Sequence, residues 1–199
     1  MKIKILFIVL VFVNTVYSQE KFEVEKMNFS IEKPENWLIF ENEEVLKNLE
    51  EFDFSKENLD DLIKSSANGI DLVTFLKYDP NIYVGIIPTI KIRSYKTTSK
   101  ILDSLSVEVN KFLQQGKIPL DNFKIKDSLE VVKILNFNVI KFSVLFTLKR
   151  GEKKHEILSK SYYILKDGYF ISINFIEEID KENNNVFFEA LINSIAITK

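Results

Sequence analysis

Extended and helical patterns alternate through the first half of the sequence. Apolar and polar residues alternate at 29–31, and an apolar run at 37–40 follows a proline turn, which predicts two short strands. Leucine, valine and phenylalanine recur at helical spacing over residues 45–67 and predict two acidic amphipathic helices. Residues 70–77 and 83–93 are rich in β-branched and aromatic side chains and flank turn-forming residues, so we expect a hairpin there.

The second half begins with a helix and continues with a period of two. One apolar face runs through residues 99–116 and predicts the longest helix. The period of two begins at residue 123, and three or four strands of an antiparallel meander are predicted from runs at residues 129–135, 139–149, 156–165 and 169–176, with Asp167-Gly168 as a hairpin turn. A final helix is predicted over residues 186–195, and its apolar face requires a hydrophobic surface to cover.

This order of elements predicts an α+β fold. Helices inserted among antiparallel strands favour a central antiparallel sheet flanked by helices, an αβα sandwich. Five glycines, four prolines and the absence of a linker-like run indicate a single domain, which we assign to residues 19–199.

Residues 1–18 have the layout of a secretory signal peptide. Two lysines precede nine apolar residues, which are too few to span a bilayer as a helix. We therefore expect export to the periplasm or the extracellular space, with no stable membrane span after signal removal. The alternative is a leader that is retained as an anchor.

Composition narrows the chemistry. The 199 residues include no cysteine and one histidine, which excludes disulfide scaffolds, thiol nucleophiles and zinc motifs that need two such ligands. Glycine-rich phosphate loops and dinucleotide-binding fingerprints are absent from the sequence. We therefore predict no catalytic residue, no cofactor, no metal site and no enzymatic activity. The 29 acidic residues outnumber the 27 basic ones, which argues against nucleic-acid binding.

Several features together resemble a known family. They are the run at residues 29–37 with its Pro-x-x-Trp motif, the hairpin followed by a long helix, the paired strands before Gly168, the strand ending at residues 173–175 and the closing helix ending at residues 192–195. These features span residues 27–197 and are similar to the PsbP-like superfamily. The short apolar leader favours its secreted bacterial DcrB-type branch over the photosystem branch. The resemblance implies an αβα sandwich that serves as a non-enzymatic binding or adaptor module.

One basic cluster is the candidate interaction surface. Lys149, Arg150, Lys153 and Lys154 surround a predicted turn and can contact an acidic partner, an anionic lipid or a polysaccharide. The alternative is a basic hairpin tip that serves only solubility. We expect a protein partner rather than a small molecule.

Three other features have structural interpretations that we prefer. His155 stands among charged residues near the same turn, and we expect an exposed hairpin residue rather than a base. Residues 177–185 are rich in side-chain oxygens but lack the glycine and the final glutamate of a calcium loop, so we expect a solvated loop. Adjacent acids at 43–44, 50–51 and 60–61 are expected on solvated helix faces.

The functional expectation is a secreted or periplasmic adaptor that acts through protein–protein interaction. One alternative is a carrier of an apolar or lipid-like ligand in a cavity between sheet and helix. A second alternative is a hydrolase that uses carboxylates alone, which requires two inward-facing acids in one cleft. Trp37 and nearly all of the 17 phenylalanines are assigned to core packing.

Overall fold

A computed structural model of the protein describes residues 20–41, 69–114, 120–150, 152–166, 168–179 and 181–197. The predicted signal peptide, the acidic helices predicted within residues 45–67 and the three carboxylate pairs near them lie outside the described residues. Within the described ranges the chain forms ten strands and two α-helices.

Most of these strands belong to one large sheet. A three-stranded sheet, in the order β1-β2-β10, consists of β1 (Lys21–Val24), β2 (Phe29–Glu32) and β10 (Ala196–Ile197). The main sheet consists of β3 (Leu38–Glu41), β4 (Ile70–Leu76), β5 (Thr89–Lys96), β6 (Asp121–Ile134), β7 (Phe137–Arg150), β8 (Lys153–Lys166) and β9 (Tyr169–Glu178). Its order is β3-β4-β5-β9-β8-β7-β6, and every neighbouring pair is antiparallel.

The two helices pack on opposite faces of the main sheet. The helix α1 (Leu102–Gln114) places an i, i+4, i+8 stripe on β7, because residues at this spacing share one side of a helix. This core contains Leu105, Val109, Leu113, Ile140, Phe142 and Val144. The helix α2 (Asn185–Asn193) lies on the other face together with the three-stranded sheet and buries Phe188, Leu191 and Ile192. We call this second side the α2 face.

The predicted hairpin is confirmed as β4 and β5, but the predicted start of its second strand is wrong. β5 begins at Thr89 rather than at residue 83. Before it, the backbone N–H groups of Ile82 and Tyr83 donate to the carbonyl of Asp79 and form a turn. Tyr83 stacks on Tyr78 with ring centroids 4.5 Å apart. These local contacts replace strand pairing in the connection between β4 and β5.

The meander is also confirmed, with differences at its ends. β6 begins at Asp121 rather than at residue 129, and the last helix ends at Asn193 rather than at residue 195. Residues 196–197 instead form β10, which pairs with Phe29 and Ser30 of β2. The periodicity predicts neither β1 nor β10.

The described residues thus form a mostly-sheet α+β fold, as predicted. The expected layers of helices are found only in part, because α2 shares its face of the main sheet with the three-stranded sheet.

Candidate functional site

The basic cluster lies at the tip of the β7–β8 hairpin. In the strand register Lys149 is opposite Lys154 and Arg150 is opposite Lys153, so two like-charged pairs stand across from each other. Like charges at directly opposed positions destabilise a strand pair. We call these four residues the basic tip.

One carboxylate neutralises part of this charge. Lys149 Nζ lies 2.9 Å from Asp121 Oδ2 at the start of β6, and their hydrogen bond raises the pKa of Lys149 and lowers that of Asp121. Lys153 and Lys154 are exposed and form no ion pair within the part of the chain that the structure describes. The basic tip therefore keeps an excess of positive charge.

His155 lies at the base of the basic tip, and the prediction that it is exposed is wrong. Its Nδ1 lies 2.9 Å from Glu178 Oε1, and these side chains are only 11% and 12% exposed. Glu178 is the last residue of β9 and pairs with Ile157 of β8. The histidine–glutamate contact therefore anchors the basic tip to the main sheet.

A cleft opens on the α2 face between β6 and α2. The register of β6 against β7 shifts between Ile125 and Asp127 and again between Asp127 and Glu130, so this edge strand bulges. The opening has a volume of about 700 Å³, and Asn185, the first residue of α2, lines its opposite side. We call it the Lys160 cleft, after the lysine of β8 that lines it.

Lys160 has an unusual environment for a lysine. It pairs with Ser143 in the register and lies on the same side of β8 as the buried Leu158 and Tyr162. Its ammonium group forms no hydrogen bond and no ion pair within the described residues. Burial lowers the pKa of Lys160 more than the nearby carboxylate of Glu177 raises it. Lys160 is therefore a partly buried cation without a direct counterion among the described residues.

Two hydroxyl groups of the cleft are held in a defined state. The Ser143 hydroxyl donates a hydrogen bond to Asp127 on the bulge of β6. Burial raises the pKa of Tyr162 to about 12, so this phenol stays protonated at neutral pH. The charged groups that line the cleft are balanced in number and comprise Lys126, Lys141, Lys160, Asp127, Glu130 and Glu189.

A polar network connects the loop before α2 to the end of β4. The buried Glu177 accepts a hydrogen bond from Asn184 Nδ2 at 3.0 Å, and Asn184 Oδ1 accepts one from Lys77 Nζ at 2.8 Å. Lys77 also pairs with Glu182, which accepts a hydrogen bond from the Tyr78 hydroxyl. The prediction that residues 177–185 form a solvated loop is therefore wrong for Glu177, Glu182 and Asn184. Their oxygens and amide groups bind one another or the side chains of Lys77 and Tyr78, which follow β4.

A second cleft, of about 430 Å³, lies beside this network. Trp37 and Phe187 line it and stack with ring centroids 5.3 Å apart. Both side chains are only partly buried and pack against the main core. The prediction that Trp37 packs in the core is corrected, because this side chain lies at the edge of the core and borders a cleft.

The structure also bears on metal binding and membrane insertion. Among the described residues, no three potential metal-ligating side chains come close enough to share an ion. In the same ranges, no helix is long and apolar enough to cross a bilayer.

The sequence does not predict the Lys160 cleft. Its one signal is Lys160 itself, which interrupts the buried series Leu158, Tyr162 and Ile164 on alternate positions of β8. The cleft also depends on the bulge of β6, and a bulge is visible only in the pairing with β7.

The fold of this chain is similar to folds of other proteins whose structures are known. No family model matches the sequence, and no curated protein matches it. The fold resembles that of LpqN from Mycobacterium tuberculosis, a protein involved in cell envelope biogenesis. The TM-score is 0.50 at 15% identity, over 86% of this chain and 83% of LpqN. It also resembles cyanobacterial PsbP (CyanoP) from Synechocystis, with a TM-score of 0.51 at 10% identity, over 90% of this chain and 92% of CyanoP.

A third match is a crystal structure from Bacteroides thetaiotaomicron, with a TM-score of 0.48 at 14% identity over 90% of this chain. The present chain spans about half, 48%, of that longer protein. The similarity to CyanoP and LpqN shows that the fold is PsbP-like, which confirms the fold that the sequence resemblance implies; the DcrB-type branch stays a prediction.

Proposed function

We propose that the protein is an exported, non-enzymatic binding domain that recognises an acidic surface of a protein partner through the basic tip. The observation that carries this proposal is the opposition of Lys149 to Lys154 and of Arg150 to Lys153. A tip that served only the hairpin would place opposite or neutral residues across from each other, because like charges destabilise strand pairs. Contact with an anionic partner removes that repulsion.

The position of the basic tip suits recognition. The ladder between β8 and β9 ends at Ile157 and Glu178, so the tip extends past the neighbouring strand. Exposed cations of one sign attract an oppositely charged partner during encounter and align it on docking. The part-buried contact between His155 and Glu178 connects the base of these charges to β9.

Two features support an envelope location as part of this proposal. The leader at residues 1–18 has the layout of an export signal. LpqN, whose fold is similar, is involved in cell envelope biogenesis in its own organism. Neither feature identifies the partner, which we define by its acidic surface alone.

The alternative of an apolar-ligand carrier has weaker support. A carrier needs a largely apolar cavity between sheet and helix. The two clefts next to α2 are open and include charged side chains such as Lys77 and Lys160. These linings favour polar ligands over lipid-like ones.

A charge-matched pair of variants tests the proposal. Envelope partners are first crosslinked through a photoreactive residue at the exposed turn position Glu152 and identified. The purified partner is then titrated with wild type, with the double variant Lys153→Gln/Lys154→Gln and with the control Lys124→Gln/Lys133→Gln, which removes the same charge from exposed positions on β6. We expect a roughly 5- to 30-fold loss for the tip variant and a change below about 3-fold for the control.

The salt dependence of binding and the binding to lipid vesicles can each contradict the proposal. Binding should weaken between about 50 mM and about 300 mM salt, since rim charges are screened over this range. Equal losses in the two double variants, or binding that does not depend on salt, would contradict the role of the basic tip. Binding to phosphatidylglycerol vesicles with no captured protein would show that the acidic surface is a membrane, and would overturn the proposal.

A further inference from the structure

The Lys160 cleft lies on a different part of the molecule from the basic tip and has its own chemistry. We propose that it binds a short peptide with a free carboxyl terminus, in which the carboxylate is held by Lys160 and a peptide N–H group is held by Asn185. The inference uses an unpaired donor, an unpaired acceptor and the size of the cleft.

Lys160 supplies the unpaired donor. An ammonium group offers three N–H donors and no acceptor, and within the described residues none of its donors has a partner. Two of the nearby carboxylates are engaged elsewhere, since Asp127 accepts from Ser143 and Glu177 accepts from Asn184, and the third, Glu189, belongs to an exposed residue. Burial weakens the hydration of this cation, and a bound carboxylate compensates through short charge-assisted hydrogen bonds.

Asn185 supplies the unpaired acceptor. Its side-chain Oδ1 is buried, has no hydrogen-bond partner and belongs to a residue that lines the cleft. A buried amide oxygen without a partner is unfavourable, so a ligand N–H group placed there is stabilising. The cleft is therefore suited to a ligand that carries both an anionic acceptor group and a neutral or positive N–H donor group.

The charge balance argues against a multiply charged anion. Equal numbers of lysines and carboxylates line the cleft, and Lys141 already lies 3.8 Å from Glu130. The lysines attract a phosphate with two negative charges, but the carboxylates of Glu130 and Glu189 repel it. A single carboxylate next to Lys160, with N–H groups towards the acidic side, matches both signs.

The size and the apolar lining favour more than one amino-acid residue. The volume of about 700 Å³ falls in the usual range for ligand sites, roughly 300–1,000 Å³. Leu158 also lines the cleft and can contact a small apolar side chain. A tripeptide fills such a space better than a free amino acid does.

The test follows the lysine side chains by NMR in protein labelled with ¹³C at lysine Cε. The probes are Ala-Ala-Ala as the free acid, the same tripeptide as its carboxyl-terminal amide, and acetate. We expect the free acid to shift the Lys160 resonance in a saturable way. The amide and acetate should each bind at least about 10-fold more weakly, because each lacks one of the two paired contacts.

Two variants separate binding from a structural role. Lys160→Gln should weaken binding of the free acid by about 10-fold or more. Lys133→Gln, which removes an exposed lysine of β6 outside the cleft, should change binding by less than about 3-fold. Lys160→Gln should leave the melting temperature unchanged or raise it, because it removes a partly buried unpaired charge.

Three results would overturn the proposal. The first is equal binding of the acid and the amide, or no shift of Lys160 up to about 10 mM of the free acid. The second is equal binding of acetate and the tripeptide, which would leave only an anion contact. The third is a marked loss of thermal stability in Lys160→Gln, which would assign this lysine a structural role.

Discussion

Replacement of Phe188 by alanine tests how α2 is held on the main sheet. The Phe188 side chain is 0% exposed and belongs to the core of the α2 face. Its ring stacks on Phe175 with centroids 4.3 Å apart and meets the edge of Tyr162 at 5.5 Å. The substitution therefore removes the aromatic contacts between this helix and the strands β8 and β9.

The magnitude follows from the buried area. A buried phenylalanine removes roughly 150 Å² from water, and about 25 cal/mol per Å² gives a loss of about 4 kcal/mol in the free energy of unfolding. This agrees with the usual loss of about 3–5 kcal/mol for a buried phenylalanine changed to alanine. For a chain of this size the melting temperature should fall by roughly 8–16 °C.

The assay can use the only tryptophan of the chain. Trp37 stacks on Phe187 of α2 with ring centroids 5.3 Å apart, so its fluorescence in a urea titration reports on the docking of this helix. The matched control is Val186→Ala on the same helix, because Val186 is 83% exposed. It should change the free energy of unfolding by less than about 0.5 kcal/mol. A loss below about 1.5 kcal/mol for Phe188→Ala, or equal losses in both variants, would refute this reasoning.

Two further predictions concern pH and backbone conformation. Burial opposes ionisation of Asp71, but its hydrogen bonds, above all with Arg93, outweigh burial and lower its pKa. Its stabilising effect is therefore present above the ordinary carboxyl range and is lost as pH falls through the lowered pKa. Unfolding curves of wild type and Asp71→Asn should therefore differ at neutral pH and converge only when pH falls below the ordinary carboxyl range. Gly69 and Gly168 have φ of 81° and 84°, but a Cβ at Gly69 would lie 2.6 Å from the Tyr95 ring, whereas nothing lies within 4 Å at Gly168. Thermal unfolding should show a loss of about 1 kcal/mol for Gly168→Ala and a clearly larger loss for Gly69→Ala, and equal losses would contradict the role of the ring.

The strands that are predicted well are those with one buried and one less buried side. β9 alternates buried and half-buried residues along most of its length, and the same is true of β4. β6 is the opposite case, since its first residues are mostly exposed and it is an edge strand. Its first residues pair with β7 but bury little, so the apolar period, which begins at residue 123, does not mark the start of the strand at Asp121.

The candidate sites differ in the same way. The basic tip is visible in the sequence because its charges are neighbours along the chain on both sides of one turn. The network around Glu182 is not visible, because Lys77 and Tyr78 approach it from more than 100 positions earlier in the chain. The environment of Lys160 is not visible in the sequence for the same reason, because its burial depends on the bulge of β6 and on the position of α2.

The basic tip and the Lys160 cleft share one strand but should act independently. Lys154 and Lys160 lie on the same side of β8, six positions apart, which corresponds to about 20 Å along a strand. Charges in water that are separated by more than about 10 Å interact weakly at ordinary salt, and substitutions this far apart usually have additive effects. Variants of the tip should therefore leave binding of the tripeptide acid unchanged, and Lys160→Gln should leave partner binding unchanged. If a tip variant also weakens the tripeptide, the two sites are coupled through the β7–β8 hairpin, and the partner and the peptide would then belong to one binding event.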